Sequence, residues 1–514
     1  MADESKVFSL VGHGLKLDSK ADIQPHLEKL EQITDLEEVH LGGNTLGVDA
    51  CQALADVLKN KKTLKVADFA DIFTGRLITE IPDALRALCD ALTDHTSLVE
   101  INLSDNAFGG RSAEPMVNFL KNNHSFSVLK LNNNGLGITG GTIVAEALYE
   151  AAQNLNAKGL QSNLRTVICG RNRLENGSAP VWAKAYAAHG GLVEVRMFQN
   201  GIRMEGIEAI SKGLASCPNL EVLDLQDNTA TLRGSRAIAA CLPKWPKLKT
   251  LNLSDCLLKP KGGALVFGAL ANGSNPALET IQVQYCDLDR KVLHQLGSAI
   301  ELHLISLTKL DINGNWADEE DECIEKIKSA LAKHSHEDAL LELDEMDPDG
   351  EESEGEEEEE ADEEEEDADK EVSKPAAPET QDETDELAAA LSKTSLDNNT
   401  RAKTSDAQDT KAQAPEKTAA AAQPDVPAAE EATAAPTAVE PEATNELATE
   451  QVTATSGDAT SAHGTPTDPA VDLSGELYSK DAATTSAPAQ GAVDAPKKKR
   501  GFRAAWGAIR ELLK

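Results

Sequence analysis

The feature of this sequence that most constrains its fold is a motif that returns about every 28 residues along the first two thirds. The motif has apolar residues at positions 1, 4, 6 and 11 and commonly asparagine at position 9, as in Leu36, Val39, Leu41, Asn44 and Leu46. After a partial copy around Phe8 and Leu10, copies begin at Leu36, Leu64, Leu98, Phe126, Leu164, Leu192, Leu220, Leu248, Leu278 and Leu307. A unit of this length cannot bury its apolar edge alone, so the copies must stack on one another.

The spacing within each copy predicts its local structure. Positions 4 and 6 lie two apart, as on one face of a β-strand, whereas following segments such as residues 51–58 place apolar residues at helical spacing. We therefore predict an α/β leucine-rich-repeat solenoid over residues 1–340, a crescent of about eleven long repeats with inner parallel strands and outer helices. The asparagine at position 9 should bond backbone groups where the chain leaves the strand, and Cys256 and Cys286 take that position in two copies.

Composition changes sharply after the last repeat. Residues 339–514 hold 44 of the 87 acidic residues but only 15 of the 49 basic ones, so this part carries −29 of the net charge of −38. Between residues 317 and 501 the only aromatic residue is Tyr478, which leaves too little apolar surface to offset the entropy of ordering. We predict an acidic run over residues 341–370 that stays extended and solvated, followed by a disordered linker over residues 371–496.

Cysteine usage and the amino terminus indicate a cellular compartment. All eight cysteines lie in the first 323 residues, without CxxC pairs or a Cys/His cluster at zinc-ligand spacing. The opening, MADESKVFSL, has no charged and then apolar leader. No apolar run approaches the roughly 20 residues that cross a bilayer. We expect a soluble protein of a reducing intracellular compartment.

One copy of the motif looks like a phosphate-binding loop. Residues 131–141, LNNNGLGITGG, contain Gly135-x-Gly137-x-x-Gly140 between a strand-like and a helix-like segment, as a dinucleotide-binding loop does. The register argues against that function, because residues 134–136 occupy positions 9 to 11 and other copies share this phase without the glycines. Residues 152–160 also lack the acidic residue that would bind a ribose. We assign these glycines to the turn.

Two intervals between copies are long, at 34 and 38 residues, and indicate loops inserted after Leu64 and near residues 151–162. Insertions in solenoids often lie on the face used for binding. The first insertion contains Arg76. Two interpretations stay open: Arg76 pairs with Asp71 or Glu80 to hold the loop, or it faces a phosphate or a protein partner.

Polar side chains directly after the strands are expected to form a row along one edge of the solenoid. By register this row comprises Asn132, Asn133, Arg171, Asn172, Arg173, Gln199, Gln226 and Asp227. Such a row suits a protein partner, although each residue alone is as readily explained as a solvated surface group. The histidines are scattered, and no catalytic triad, carboxylate pair or metal-ligand cluster stands out. The residues alone therefore indicate a repeat protein that binds another protein.

Several longer segments narrow this interpretation. They are DIFTGRLITEIPDAL, LNNNGLG, GRNRLENGS, QNGIRMEGIEAI, LDLQDNTATLRGS, the acidic run and DETDELAAALSK, within about residues 5–395. Together they resemble the Ran GTPase-activating proteins in their fungal form. The resemblance implies that the repeats bind Ran in its GTP-bound state, together with a Ran-binding protein, and accelerate GTP hydrolysis in nucleocytoplasmic transport. The chain would then be an activator and not an enzyme, without a cofactor of its own, because GTP and Mg²⁺ belong to Ran.

The resemblance also implies roles for individual residues. Asn133, in LNNNGLG, matches the residue that holds the catalytic glutamine of Ran in its working geometry, and these activators work without an arginine finger. Arg76, in FTGR, matches the family's essential arginine, which contacts and anchors Ran. A basic residue expected shortly after it is replaced here by Leu77-Ile78. Further candidate contacts to Ran are Asn132, Asn134, Arg171 and Arg173.

Beyond residue 395 the resemblance ends. Residues 497–514, KKKRGFRAAWGAIRELLK, carry seven bases and one acid, with apolar residues at helical spacing that predict a basic amphipathic helix. It could lie on an anionic membrane, dock in a partner's groove or act as an import signal. We expect a membrane or nuclear-envelope contact that holds a cytoplasmic, monomeric activator in place, and no nucleic-acid partner.

Two further expectations concern the acidic run and the class of function. The run should steer Ran electrostatically toward the repeats. A different class also stays open, in which the chain is a non-catalytic repeat scaffold or inhibitor that only binds its partner.

Overall fold

A computed structural model describes residues 4–350. Its strands are β1 (Val7–Ser9), β2 (Lys16–Leu17), β3 (Glu38–His40), β4 (Thr45–Leu46), β5 (Val66–Asp68), β6 (Glu100–Asn102), β7 (Val128–Lys130), β8 (Thr166–Ile168), β9 (Glu194–Arg196), β10 (Val222–Asp224), β11 (Thr250–Asn252), β12 (Thr280–Gln282) and β13 (Lys309–Asp311). All except β2 and β4, which pair with each other, form one parallel sheet of eleven strands in chain order. The predicted parallel sheet, with one strand from each of about eleven repeats, is confirmed.

Helices follow the strands in turn. They are α1 (Lys20–Gln32), α2 (Val48–Leu58), α3 (Ile81–Leu92), α4 (Val117–Asn122), α5 (Gly137–Ala157), α6 (Glu175–His189), α7 (Met204–Leu214), α8 (Thr231–Cys241), α9 (Lys259–Leu270), α10 (Arg290–Leu302) and α11 (Glu322–Lys333). Within the described residues, none of them combines the length and the apolar character that crossing a membrane requires. The alternation of single strands and helices is the predicted α/β repeat solenoid.

The core lies between the sheet and the helices. Strand register aligns equivalent positions, so that Val39 pairs with Ala67 and Ala67 with Ile101, and all three are fully buried. Leu85 and Leu88 of helix α3 are buried in the same core. Burying one such side chain stabilises the fold by about 1.5–3 kcal/mol, and each does so only against the neighbouring repeats. Stability therefore depends on stacking.

The position-9 asparagines form a buried ladder, as their register predicts. The Asn134 side chain donates from Nδ2 to the carbonyls of Leu103 and Leu131, both at 3.0 Å, and accepts from the Asn106 N–H at 3.0 Å. The same pattern extends through Asn172, Asn200 and Asn228. Where cysteine takes the position, Cys256 and Cys286 direct Sγ at the carbonyls of Leu225 and Leu253, at 3.1 and 3.0 Å. Each of these side chains thus links its own repeat to the preceding one.

We expect Asn134→Ala to lower the free energy of unfolding by about 3 kcal/mol, because two carbonyls and one N–H lose their partner in the interior. The measurement is the shift in the urea midpoint. Asn154→Ala, an exposed site in α5, is the matched control and should change stability by less than about 0.5 kcal/mol. Equal effects of the two variants would show that the ladder contributes nothing.

The two insertions differ in structure. The first is an irregular loop over residues 69–80 that ends where α3 begins. The second was expected as a loop near residues 151–162, and that prediction is wrong in part, because α5 is lengthened to 21 residues and absorbs most of it. Beyond α5, the Ser162 hydroxyl binds His189 Nδ1 at 2.6 Å, and His189 Nε2 donates to the Leu148 carbonyl at 3.0 Å. This histidine ties the lengthened helix to the next repeat.

Burial lowers the pKa of His189 to about 4. Its stabilising contribution is therefore complete above the unfolded pKa of about 6.5 and is lost as pH falls from there toward 4, by up to about 3 kcal/mol. We expect the urea midpoint of the protein to fall across this window. In His189→Gln, whose amide can also donate to one partner and accept from the other, the fall should be shallower. Parallel pH profiles would contradict this assignment.

Past the last repeat, the chain covers the open edge of the sheet. Leu340 forms a β-bridge with Leu310 of β13, and Leu343 and Met346 pack against the core. Within the described residues, β13 is thereby shielded from pairing with another chain.

Acidic side chains of this segment bind the last two repeats. Asp344 Oδ1 accepts from Asn313 Nδ2 at 3.0 Å, and the Tyr285 hydroxyl donates to the Glu345 carboxylate. Burial and this hydrogen bond raise the pKa of Tyr285 to about 12. The prediction of an extended, solvated run is thus wrong in part for residues 341–350, which are exposed or half-buried but bond to the last two repeats and cap the solenoid. The rest of the acidic run, the linker over 371–496 and the basic segment over 497–514 lie outside the described residues.

Candidate functional site

Position 8 of the repeat turns the chain at the carboxyl end of every strand of the eleven-stranded sheet. The residue there has a left-handed backbone in all eleven repeats, with φ between 48° and 78°. Outside the three repeats that place glycine there, these residues are Asp71, Asp105, Asn133, Arg171, Gln199, Asp227, Asp255 and Tyr285, and we call this row the ridge. Their side chains are exposed or half-buried.

Backbone bonds hold the ridge rigid. The Asp105 N–H donates to the carbonyl of Asn132 and the Asn133 N–H to that of Gly170, both at 2.9 Å. Each turn is thereby fastened to the next repeat, so the ridge presents its side chains at a fixed spacing of about 4.8 Å per strand.

Three consecutive asparagines of the fifth repeat have three different roles. Asn132 accepts the Gly170 N–H at 2.7 Å, which fastens its side chain to the neighbouring turn. Asn134 is fully buried in the ladder. Asn133 is exposed, and its Nδ2 donates to Asp105 Oδ1 at 3.1 Å. Of the three, Asn133 offers its amide to a partner.

Two residues that the sequence places on this surface are buried instead. Asn134, a candidate contact, and Asn172, assigned to the exposed row, are both 0% exposed. They occupy position 9, where the side chain bonds the backbone of adjacent repeats. Neither side chain can reach a protein partner.

Arg171 and Arg173 belong to the repeat that follows Asn133. Both are exposed, both have positive φ, of 56° and 55°, and within residues 4–350 neither forms an ion pair. Their cationic side chains are therefore adjacent to Asn133 and accessible, as the sequence predicts.

Arg76 is held by other parts of the protein. Its side chain is only 10% exposed. The guanidinium donates from Nη1 to Asp18 Oδ1 at 2.5 Å, from Nε to Thr45 Oγ1 at 2.8 Å, and from Nη2 to the carbonyls of Thr45 and Leu17 at 2.8 and 3.4 Å. The proposed pairing with Asp71 or Glu80 is wrong, because the loop folds back over the first two repeats. Asp71 instead binds Thr74.

The surroundings of Arg76 are closely packed on one side and open on the other. Gly47 is required there, since a Cβ at this position would lie 2.6 Å from the Asp18 carbonyl and 3.2 Å from Arg76 Nη1. Hydrogen bonds from Lys16 and Arg76 lower the pKa of the Asp18 carboxyl. A groove of about 590 Å³ opens beside these groups. The guanidinium thus forms part of the groove wall.

Arg76 also fixes two apolar side chains that follow it. Leu77 and Ile78 are 65% and 51% exposed. They follow Arg76 directly in the loop, which the hydrogen bonds of Arg76 attach to the second repeat. A methyl group on Gly109 would lie 3.8 Å from Ile78 Cδ1, which places Ile78 beside the fourth repeat. The loop therefore contacts the first two repeats through Arg76 and the fourth repeat through Ile78.

The structure does not bring Arg76 and Asn133 together. The Arg76 guanidinium lies against Thr45 in the second repeat. Asn133 follows β7 in the fifth repeat, which is three sheet strands or about 14 Å further along. A single protein surface can contact both, but one small ligand cannot. Across residues 4–350, no three His, Cys, Asp or Glu side chains are arranged to hold a metal ion. The arrangement suits recognition of a protein.

Sequence reasoning missed the groups that hold the two principal residues. Asp18 and Thr45 bind Arg76 from 58 and 31 positions away, and no local pattern signals such pairs. The role of Asp105 could have been predicted, because it occupies the same repeat position as Asn133, one copy earlier.

Comparison with known proteins gives consistent names. The chain is 37% identical over 336 residues to Ran GTPase-activating protein 1 of Saccharomyces cerevisiae, covering 64% of this chain and 82% of that protein. It is 44% identical over 198 residues to Ran GTPase-activating protein 1 of Xenopus laevis, covering 38% of this chain and 34% of the relative. For Ran GTPase-activating protein 2 of Caenorhabditis elegans the identity is 40% over 207 residues, covering 40% and 22%.

No family model matches the sequence. A solved internalin from Listeria monocytogenes covers 66% of this chain and 87% of its own at 17% identity, with a TM-score of 0.34, too low to be informative.

Proposed function

This chain belongs to the Ran GTPase-activating protein family, and from that we infer that it accelerates GTP hydrolysis by the small GTPase Ran. The observation that carries the inference is the identity of 37% over 336 residues, which cover 82% of the yeast relative. The hydrolytic site then belongs to Ran with its GTP and Mg²⁺, and this chain acts as an activator that supports nucleocytoplasmic transport.

We propose that Asn133 acts by positioning. In small GTPases a glutamine of the GTPase orients the water that attacks the γ-phosphate. An activator that holds this glutamine in its reactive conformation removes the entropy of finding it, an effect that can reach several kcal/mol. Two observations support the proposal. The Asn133 side chain is exposed, and the Asn133 backbone N–H donates to the Gly170 carbonyl at 2.9 Å.

Hydrolysis without an arginine finger is part of the same proposal. A finger must enter the nucleotide site, whereas Arg76 is 10% exposed and donates to Asp18, Thr45 and Leu17. Arg171 and Arg173 are exposed and adjacent to Asn133, so they are assigned to contacts with Ran. Arg171→Ala and Arg173→Ala should then raise KM and leave kcat within about twofold, whereas loss of a finger would lower kcat about 1000-fold or more.

The test uses purified protein and Ran loaded with GTP. With the chain present at a small fraction of the Ran concentration, phosphate release should continue until all the Ran has been converted, because each activator molecule turns over repeatedly. Tight binding without faster release would support the alternative function, a non-catalytic scaffold or inhibitor. Ran carrying a substitution of its catalytic glutamine is the matched control and should show no acceleration.

Other parts of the proposal concern regions outside residues 4–350. The acidic run is proposed to attract Ran, in which case deleting it should lower kcat/KM at low salt and matter little at high salt, where charges are screened. The chain is proposed to act as a cytoplasmic monomer on Ran with a Ran-binding protein. Residues 497–514 are proposed to contact a membrane or the nuclear envelope, and their deletion should release the protein into the soluble fraction.

A further inference from the structure

Asn133 and Asp105 form an isolated pair on the ridge. Asn133 Nδ2 lies 3.1 Å from Asp105 Oδ1, and both residues occupy position 8 of adjacent repeats. The neighbouring Asn132 and Asn134 bond backbone groups instead. Among the side chains of residues 4–350, Asp105 is thus the group that sets the orientation of the Asn133 amide.

The chemistry of the pair decides which amide atom points outward. A primary amide presents two N–H donors on one side and a carbonyl oxygen on the other, and the two ends have almost the same shape. An ionised carboxylate only accepts hydrogen bonds. The end of Asn133 that faces Asp105 must therefore be Nδ2, and Oδ1 faces away. A neutral partner such as another amide would permit either orientation.

We propose that Asp105 is a positioning residue for Asn133, which it holds with Oδ1 outward to accept a hydrogen bond from the side-chain N–H of the catalytic glutamine of Ran. This proposal rests on the proposed function and adds to it the direction of the hydrogen bond. It also explains why an acidic residue stands next to the site, although acidic groups repel phosphate. Asp105 faces the amide and need not touch the nucleotide.

Backbone geometry supports a role beyond a surface hydrogen bond. An exposed pair between two flexible side chains is worth little, but here both backbones are held in left-handed turns, with φ of 62° and 53°, and both N–H groups are bonded to the next repeat. With the backbone held, only the few side-chain torsions of these short residues remain to be fixed. The pair is therefore preorganised, which is the condition for a positioning effect.

The experiment measures kcat and KM for Ran-bound GTP with full-length variants. Glycine avoids backbone strain at these turns, so Asp105→Gly removes the carboxylate without adding strain and should lower kcat about tenfold with little change in KM. Asp105→Asn should also lower kcat, because the new amide allows Asn133 to flip. Asp56→Asn is the control, since this exposed aspartate lies on helix α2 and outside the ridge, and it should behave as wild type.

A reciprocal exchange provides the rescue. Asn133→Asp alone places two carboxylates together, whereas adding Asp105→Asn restores a donor facing an acceptor and keeps an oxygen outward. The double variant should exceed Asn133→Asp in kcat. A merely structural role predicts that kcat falls only where thermal stability falls, whereas our proposal predicts that Asp105→Asn lowers kcat without lowering thermal stability.

The outcomes separate this proposal from the proposed function. If the wild-type protein does not accelerate hydrolysis, both are overturned. If it does, and Asp105→Gly and Asp105→Asn keep full kcat, only the positioning proposal is overturned. A rise in KM alone would also overturn it, because Asp105 would then be a direct contact to Ran.

Discussion

Replacing Asn133 with glycine is expected to lower kcat for GTP hydrolysis on Ran by about 100-fold, the size of effect that misplacing a reacting group by 1 Å can cause. The reason is that Asn133 alone among the three consecutive asparagines is exposed with its amide available. Glycine is chosen because φ is 53° at this position, where alanine would add backbone strain. The measurement is single-turnover phosphate release at saturating variant.

The controls for this experiment come from the same ridge. Gln199→Gly, two repeats further along with φ of 52°, should change kcat by less than about twofold, because no catalytic role is assigned to it. Binding of the Asn133 variant to GTP-loaded Ran should be nearly unchanged. If the variant retained wild-type kcat, Asn133 would be only a contact and the mechanism would be wrong.

Replacing Arg76 with alanine is expected to lower kcat/KM by roughly 100-fold, or about 2.7 kcal/mol, mainly by raising KM. Without the guanidinium, the carbonyls of Thr45 and Leu17 lose a charged donor, which costs about 1.5–3 kcal/mol for hydrogen bonds of this kind. The loop that presents Leu77 and Ile78 is then released. The measurement is the full dependence of the hydrolysis rate on activator concentration.

Arg76→Lys and the anchoring groups distinguish an anchor from a finger. Lysine keeps the charge, but its donors all lie on one nitrogen and lack the planar spread with which Nε, Nη1 and Nη2 of Arg76 reach their separate acceptors. It should therefore behave almost like alanine. Thr45→Val and Asp18→Asn should each reproduce part of the rise in KM. A finger predicts the opposite, a large loss of kcat from Arg76→Ala and no effect of changing Asp18 or Thr45.

The local parts of the fold follow from sequence. Positions 4, 6 and 9 repeat because each repeat must bury the same atoms, and so the parallel sheet and the position of Asn134 were predictable. The burial of Asn134 was equally predictable, since it holds position 9, and naming it as a contact overlooked that register. The cap was also signalled, by Leu340, Leu343 and Met346 within an otherwise acidic segment.

What could not be predicted depends on contacts between distant positions. The Arg76–Asp18 pair joins residues 58 apart in sequence, and equally plausible acidic residues lie within five positions of Arg76. The left-handed turns at position 8 carry aspartate, asparagine, arginine, glutamine and tyrosine as well as glycine, so residue type does not reveal them. Stacking imposes that backbone, and only the assembled repeats show it.

The cap determines where the rest of the chain departs. Gly350 packs on the Trp316 indole, at the β13 end of the sheet, six strands or about 29 Å from β7 and Asn133. A chain covers at most about 3.3–3.6 Å per residue, so roughly the first nine residues after Gly350 are the minimum needed to come level with Asn133. Acidic residues further along the chain are covalently tethered to the solenoid. Their effective concentration around a partner docked at Asn133 therefore depends on the contour length of the chain and not on the concentration of the protein.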